Sequence, residues 1–422
     1  MLGTVRVRSY HRVEGPVSEE VVGTSSPHPV AKFLVPDVIF GVGVLAEVGQ
    51  AARRQGAVHV LVVSDPEVGE AGWTGEVLGH LAEAGVSAQL WDDLTPNPKD
   101  HEVVAGCAAY LDGGCDVLVA VGGGSCVDAA KAIAVLATQA GNGGAAATGG
   151  GTADGIASYA GVGKVPGPLP PTVMVPTTGG SGSDVSQFCV VTDTARRLKI
   201  TIGARALVPD ISVTDPRTLT TVPHDITAYT AIDALSHAIE SYVSLAASFL
   251  TDTHALTAMR GVCEHLLPAL DRPGDLQPRE GLARASLQAG LAFSNALLGA
   301  THAISHQFGG LTDLPHGLLN AILLPHVMEF NASVAAGRMA EVAGAMGLRT
   351  GLMTPHEAAD AAIQTVRAFA GKAGLPTTLR EIGIEYAQLD QVARGALRDA
   401  YIVTNPRPVS EADVRAICQA AW

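Results

Sequence analysis

From residue 58 the chain alternates short apolar runs with helix-like segments, and this alternation constrains its architecture more than any other feature. VHVLVVS (58–64), SAQLW (87–91) and DVLVAV (116–121) read as strands, with GEVLGHLAEAG (75–85) and DHEVVAGCAAYLDGG (100–114) as the helices between them. Parallel strands need a long crossover, which a helix supplies, so the spacing predicts βαβ units and a parallel sheet. A first strand is expected at about 31–40. PTVMVPTT (171–178) reads as a strand that feeds a second Gly-rich ligand loop, GGSGSDVS (179–186).

After about Asp215 the texture changes to long helical patterns such as DITAYTAIDALSHAIESYVSLAA (225–247) and REGLARASLQAGLAFSNALLGATHAISHQFGG (279–310). The predicted fold is therefore a doubly wound, Rossmann-like α/β nucleotide domain (30–214) followed by an all-α domain (215–422), with the active site in the cleft between them. A chain of 422 residues is too long for one ordinary core, and 47% hydrophobic residues are enough to bury two. Residues 1–29 mix charges, Gly, Ser and Pro without a period and are expected to be an irregular extension. The Gly/Ala-rich stretch 141–167 is expected to be a surface excursion.

Acidic residues outnumber basic ones by 41 to 27, a formal charge of -14, and the Lys and Arg residues do not cluster. That excludes a nucleic-acid or anionic-membrane surface and points to a small-molecule partner. Six cysteines without a CxxC pair read as reduced thiols. The N-terminal residues lack the apolar core of a secretory signal, and no run reaches the length of a membrane span, so a cytoplasmic location and no membrane contact are expected.

DVLVAVGGGSCVDAAKAIAVLA (116–137) passes from a buried-strand pattern through a Gly-Gly-Gly-Ser turn into a helix. Backbone N–H groups at such a helix start can approach a diphosphate closely, and Gly122, Gly123, Gly124 and Ser125 would form the cradle. Triple glycines also serve as plain turns. Asp65 closes HVLVVSD, where a carboxylate accepts hydrogen bonds from ribose hydroxyls and repels a 2′-phosphate, favouring NAD over NADP. Its other reading is the N-cap of a turn opening at Pro66.

Asp233 and His237 stand four apart in ITAYTAIDALSHAIESY, on one face of a predicted helix. His302 and His306 repeat that spacing in GATHAISHQFGG, and His316 follows in DLPHG. A single histidine in such a place is more often structural than a ligand. A carboxylate inside an apolar helix is costly unless paired, however, and three imidazoles lie close to it in sequence. Imidazoles with one carboxylate suit Fe²⁺ or Zn²⁺.

These segments resemble a known family, the iron-containing or group III alcohol dehydrogenases. The matching strings, in family order, are TPNP (95–98), GGGSCVDAAK (122–131), PTTGGSGSDV (176–185), AIDALSHAIESY (231–242) and THAISHQFGGLTDLPHGLLNAILLPHV (301–327). The resemblance implies Asp233, His237, His302 and His316 as metal ligands, with His306 a nearby active-site histidine outside the ligand set. It implies Asp65 and Asn97 at the adenosine end of the cofactor and Gly123, Gly124, Ser125 and Asp128 around the diphosphate. Thr177, Thr178 and Ser181 would line the path to nicotinamide, and Lys199 would lie near the ribose. The chain departs from the family at GGSGSD (179–184), commonly AGTGSE, and at Gln307, frequently proline. No implied ligand is replaced, so these changes bear on substrate and cofactor preference more than on reaction type.

The implied reaction is hydride transfer between NAD, with NADP possible, and a small aliphatic alcohol or aldehyde, in a homodimer or higher homo-oligomer. His306 is a candidate proton relay to solvent, or alternatively a hydrogen-bonding residue that orients a ligand. Two alternatives share the broad architecture: a dehydroquinate-synthase-like lyase using metal and NAD, and a maleylacetate-reductase-like reductase.

Overall fold

The computed structural model describes residues 32–141 and 155–422. The expected extension 1–29 and positions 142–154 of the Gly/Ala-rich stretch lie outside the described residues. Residues 32–422 group as one compact unit.

The sheet region runs β1 (Asp37–Phe40), α1 (Val48–Arg54), β2 (His59–Val63), α2 (Pro66–Glu70), α3 (Trp73–Glu83), β3 (Ser87–Trp91), α4 (Asp100–Asp112), β4 (Val117–Gly122) and α5 (Gly124–Gly141). It continues through β5 (Gly161–Val162), β6 (Thr172–Pro176), β7 (Phe188–Asp193), β8 (Leu198–Gly203) and β9 (Ile211–Thr214). Six strands pair in the order β1-β9-β6-β4-β2-β3, all parallel. β1 is shorter than the expected 31–40, because Pro36 cannot donate to a ladder and the strand sits at the sheet edge.

The apolar runs are continuous because both sheet faces are covered. Leu61, Val63, Leu118, Ala120 and Met174 join Val127 and Ile133 of α5 in one buried cluster. Their sequence neighbours Val60, Val62, Val119, Val121 and Val173 join Val48, Val77 and Leu81 in another, on the α1 and α3 side. The chain passes from β2 outward to β3 and then back across to β4, so the winding direction reverses between β2 and β4. The crevice at their carboxyl ends is the position where such sheets bind ligands.

β7 and β8 form an antiparallel hairpin, with β5 beside β8, as a separate three-stranded sheet that the sequence reading did not foresee. The described part of the Gly/Ala-rich stretch is also more ordered than expected. A 3-10 turn at Gly155–Tyr159 buries Ile156 and Tyr159.

Beyond Thr214 the described elements are helical: α6 (His224–Val243), α7 (Phe249–Asp271), α8 (Leu276–Ala296), α9 (Ala300–Thr312), α10 (His316–Ala345), α11 (Pro355–Lys372), α12 (Leu389–Ala396) and α13 (Glu411–Ala421). Ile232, Leu235, Met259, Leu282, Leu324 and Met339 build the core of α6, α7, α8 and α10. α10 is long and apolar enough to cross a membrane, but most of its apolar residues are core residues here. The segment 279–310, which reads as one helical pattern, breaks in two at Leu297. That residue has φ 61°, a left-handed conformation that no continuing helix permits.

Candidate metal centre

Three helices deliver four side chains to one place. Asp233 and His237 project from one face of α6, His302 lies in the first turn of α9, and His316 opens α10 directly after Pro315. Asp233 Oδ1 is 3.7 Å from His302 Nε2 and 4.0 Å from Nε2 of both His237 and His316. Donor atoms of Asp233, His237 and His302 lie within 4.8 Å of one another, and His316 stands on the more open side, its side chain 22% exposed.

Each of these imidazoles directs its other nitrogen to a separate partner. His237 Nδ1 is 3.2 Å from the Gly180 carbonyl, His302 Nδ1 is 2.6 Å from Glu240 Oε2, and His316 Nδ1 is 3.4 Å from Ser305 Oγ. A proton held on Nδ1 leaves the Nε2 lone pair facing Asp233. Asn320 Nδ2 lies 2.7 Å from Asp233 Oδ1 and 3.0 Å from Nε2 of both His302 and His316, while its own Oδ1 is buried without a partner. Lone pairs and a carboxylate converging on one buried point favour a cation, and three imidazoles with one carboxylate fit a divalent ion of the Fe²⁺ or Zn²⁺ kind.

The electrostatics agree. Burial pushes His237 down to about 4. Burial works against charge on Asp233 and His302 as well, yet Asp233 is held below the usual carboxylate range by His237 and His302. His302 is carried up to about 9 by Asp233 and Glu240. A proton favoured so strongly between two carboxylates marks a place where a cation is favoured too.

His306 is brought to this centre but points elsewhere. Its ring is 5.1 Å from that of His316, and its Nδ1 is 2.8 Å from Asp399 Oδ2. Tyr401 packs against both His302 and His306 at 6.3 and 5.8 Å between ring centroids, and clusters with Phe188, Phe293 and Leu298.

A cavity of about 310 Å³ runs from these donors to the carboxyl end of the sheet. Of the residues singled out in the sequence it is lined by Asn97, Gly124, Ser125, Asp128, Thr178, Ser181, Lys199, Asp233, His237, His302, His306 and His316. Gly124 opens α5, and a Cβ there would stand 2.8 Å from Ser181 Cβ, so glycine lets the two Gly-rich loops close together. Asn97, in a left-handed conformation with φ 58°, accepts from Lys199 Nζ at 2.7 Å and donates to Asp313 Oδ1 at 2.9 Å. Burial pushes Lys199 down to about 8, opposed by Asp313, Asp128 and Asp233.

Three expected cofactor residues lie beside the cavity. Gly123 flanks it, with Thr178 3.3 Å from a Cβ placed there, and Thr177 is buried, its N–H donating to the Gly122 carbonyl at 2.9 Å. Asp65 caps α2 through Val68 N at 2.9 Å, and its Oδ2 accepts from Cys126 Sγ at 3.2 Å across the β2/β4 crevice. Asp128 lines the cavity but commits its oxygens to Ser183 Oγ and, at 3.1 Å, to Val190 N, so it braces the 180s loop.

Glu240, Asn320, Asp399 and Tyr401 were not found from the sequence. Glu240 carried a usable signal, because a second acid in the apolar AIDALSHAIESY helix raises the same cost as Asp233. Asp399 and Tyr401 carried none, being almost a hundred residues from the histidines they touch.

The sequence matches the family described as iron-containing alcohol dehydrogenase over residues 36–216, and the C-terminal region of the Fe-containing alcohol dehydrogenase family over 227–422. It is 37% identical over 393 residues to a 1,3-propanediol dehydrogenase of Citrobacter freundii, covering 92% of this chain and 98% of that protein. An NAD-dependent methanol dehydrogenase of Bacillus methanolicus is 34% identical over 389 residues, covering 92% and 99%. The crystal structure of a 1,3-propanediol oxidoreductase superposes with a TM-score of 0.87 at 36% identity, over 93% of this chain and all of that one. Identity of this size over nearly the whole length, on a shared sheet and helical bundle, establishes that the chain belongs to the iron-containing alcohol dehydrogenase family.

Proposed function

We propose that this member of the family transfers hydride between a nicotinamide dinucleotide and a small aliphatic alcohol or aldehyde, at a divalent ion held by Asp233, His237, His302 and His316. The observation that carries the reading is the single cavity that joins the N-terminus of α5 to the convergent imidazoles. When bound, the ion supplies Lewis acidity to an alcohol or carbonyl oxygen, and the nicotinamide gives or takes the hydride.

The chain's own residues do the positioning. Backbone N–H groups at Gly124 and Ser125 face a diphosphate at the helix N-terminus, Thr178 and Ser181 line the way inward, and Asn97 with Lys199 fixes the nucleotide side. Asp65 favours NAD over NADP. Phe188, Phe293, Leu298 and Tyr401 form an apolar wall beside His302 that suits a short carbon chain and keeps water away. His306, held at Nδ1 by Asp399, has Nε2 as its remaining site for exchanging a proton with a substrate oxygen. Nucleotide binding is assigned to residues 30–214 and metal binding to 215–422. Six free thiols support a reducing, cytoplasmic setting, and a homo-oligomer is the expected assembly.

The test is metal analysis of anaerobically purified protein, then a panel of short alcohols, diols and aldehydes with both nicotinamides, followed at 340 nm. Net NADH consumption with an aldehyde is the expected result. No change at 340 nm with any of these substrates in the metal-loaded protein would overturn the reading. His302→Ala is expected to lose metal and turnover together, and full activity in a metal-free preparation of that variant would sink the metal assignment.

A further inference from the structure

The break between α8 and α9 leaves the first N–H groups of α9 without carbonyl partners in their own helix. Glu240, 2% exposed, answers them from α6: Oε2 accepts from Gly299 N at 3.2 Å and His302 N at 3.4 Å, and Oε1 from Thr301 N at 2.7 Å. The same Oε2 lies 2.6 Å from His302 Nδ1. A Cβ on residue 299 would stand 3.0 Å from Glu240 Oε1 and 2.8 Å from Asn405 Oδ1, so the carboxylate is seated against a glycine. An anion at a helix start is also favoured by the helix dipole.

We propose that Glu240 is a positioning residue of the metal centre, which fixes the His302 proton on Nδ1 so that Nε2 presents its lone pair to the ion. The inference rests on the reading of Asp233, His237, His302 and His316 as ligands. Its physical basis is that Glu240 meets donors on every side. The main-chain groups can only donate, which leaves Nδ1–H as the matching state of the ring. Glu240 also stands one turn beyond His237 on α6, so it ties the helix carrying two ligands to the helix carrying the third.

Glu240→Gln keeps the shape and introduces an NH₂ among these donors. Turned toward Nδ1, the amide forces that nitrogen to accept and moves the proton to Nε2, which removes the lone pair. Turned toward the main chain, it opposes the Thr301 or Gly299 N–H. Zn²⁺ affinity of the full chain, measured by chelator competition, is expected to fall about 10- to 100-fold in Glu240→Gln and to recover in part in Glu240→Asp, which restores an acceptor-only carboxylate.

Equal affinity in Glu240→Gln and wild type overturns the inference and leaves the ligand assignment standing. Glu240→Asp binding no tighter than Glu240→Gln also overturns it. A wild type that takes up no Zn²⁺ overturns both readings. If Glu240→Gln does not fold, histidine-selective ¹⁵N shifts of Zn²⁺-loaded wild type, in which the ring is no longer doubly protonated, decide the matter, with His302 assigned by its loss in His302→Ala. Nδ1 protonation is expected, and a proton on Nε2 overturns the inference.

Discussion

His306 Nδ1 lies 2.8 Å from Asp399 Oδ2, and both side chains are buried beside the convergent imidazoles. A carboxylate in this position fixes the orientation of the ring and its tautomer, so that Nε2 is the nitrogen left to face the cavity.

Asp399→Asn keeps an acceptor for Nδ1–H and removes the charge. Because Asp399 touches none of the proposed metal ligands, metal content should stay at the wild-type level while kcat falls about 100-fold, the lower end of the usual range for acid–base assistance. Steady-state kinetics with parallel metal analysis checks this. A wild-type kcat would remove the relay role from His306.

Asp65 both caps α2 and faces the Gly122–Cys126 turn. Asp65→Gly is expected to raise the NADPH/NADH ratio of kcat/KM, because a carboxylate that would repel a 2′-phosphate is gone. Loss of the cap should cost only about a few tenths of a kcal/mol, because glycine is itself a tolerated N-cap residue. An unchanged cofactor ratio alongside a lowered Tm would leave Asp65 with the capping role only.

Burial holds Lys199 at about 8, below its ordinary 10.5. Its ammonium is therefore present below pH 8 and lost as pH rises through that value, and a cation facing an anionic cofactor is lost with it. KM for NAD should rise between pH 7 and 9, and Lys199→Arg, which stays charged, should flatten the rise. The sign for folding is the reverse: a lowered lysine pKa makes the folded form shed its proton first, so this group adds stability as pH climbs from 8 toward 10.5. A KM profile identical in wild type and Lys199→Arg would exclude Lys199 as the source of the pH dependence.

Gly180 passes so close to α6 that a Cβ would stand 2.5 Å from the Thr230 carbonyl oxygen, and its own carbonyl meets His237 Nδ1 at 3.2 Å. Gly180→Ala must push the loop off the helix. The expected cost is about 1–3 kcal/mol, read as a lowered Tm, together with reduced metal retention because His237 loses its orienting partner. A normal Tm with normal metal content would show that the loop moves without strain.

The sequence by itself determined the βαβ alternation of the parallel sheet and the helical character of the chain beyond Asp215. A continuous apolar run such as 117–121 suits a strand covered on both faces. A Gly-Gly-Gly-Ser turn before a helix places N–H groups at the sheet's carboxyl edge, and four-residue spacing puts Asp233 beside His237 and His302 beside His306. These are local consequences of backbone period and sterics, and they do not depend on what packs against them.

Tertiary structure decided which way each side chain faces. His302 and His306 are equivalent by spacing, yet the packing of α9 against α6 turns the first toward Asp233 and Glu240, while Asp399, arriving from beyond α12, takes the second. The β7–β8 hairpin went unread because its strands pair with each other and with β5, outside the main sheet whose alternation was followed. The break at Leu297 was hidden because its residues suit a helix. The left-handed turn there has Glu240 as the acceptor for the N–H groups it uncovers, and that carboxylate reaches them only after α6 and α9 have packed.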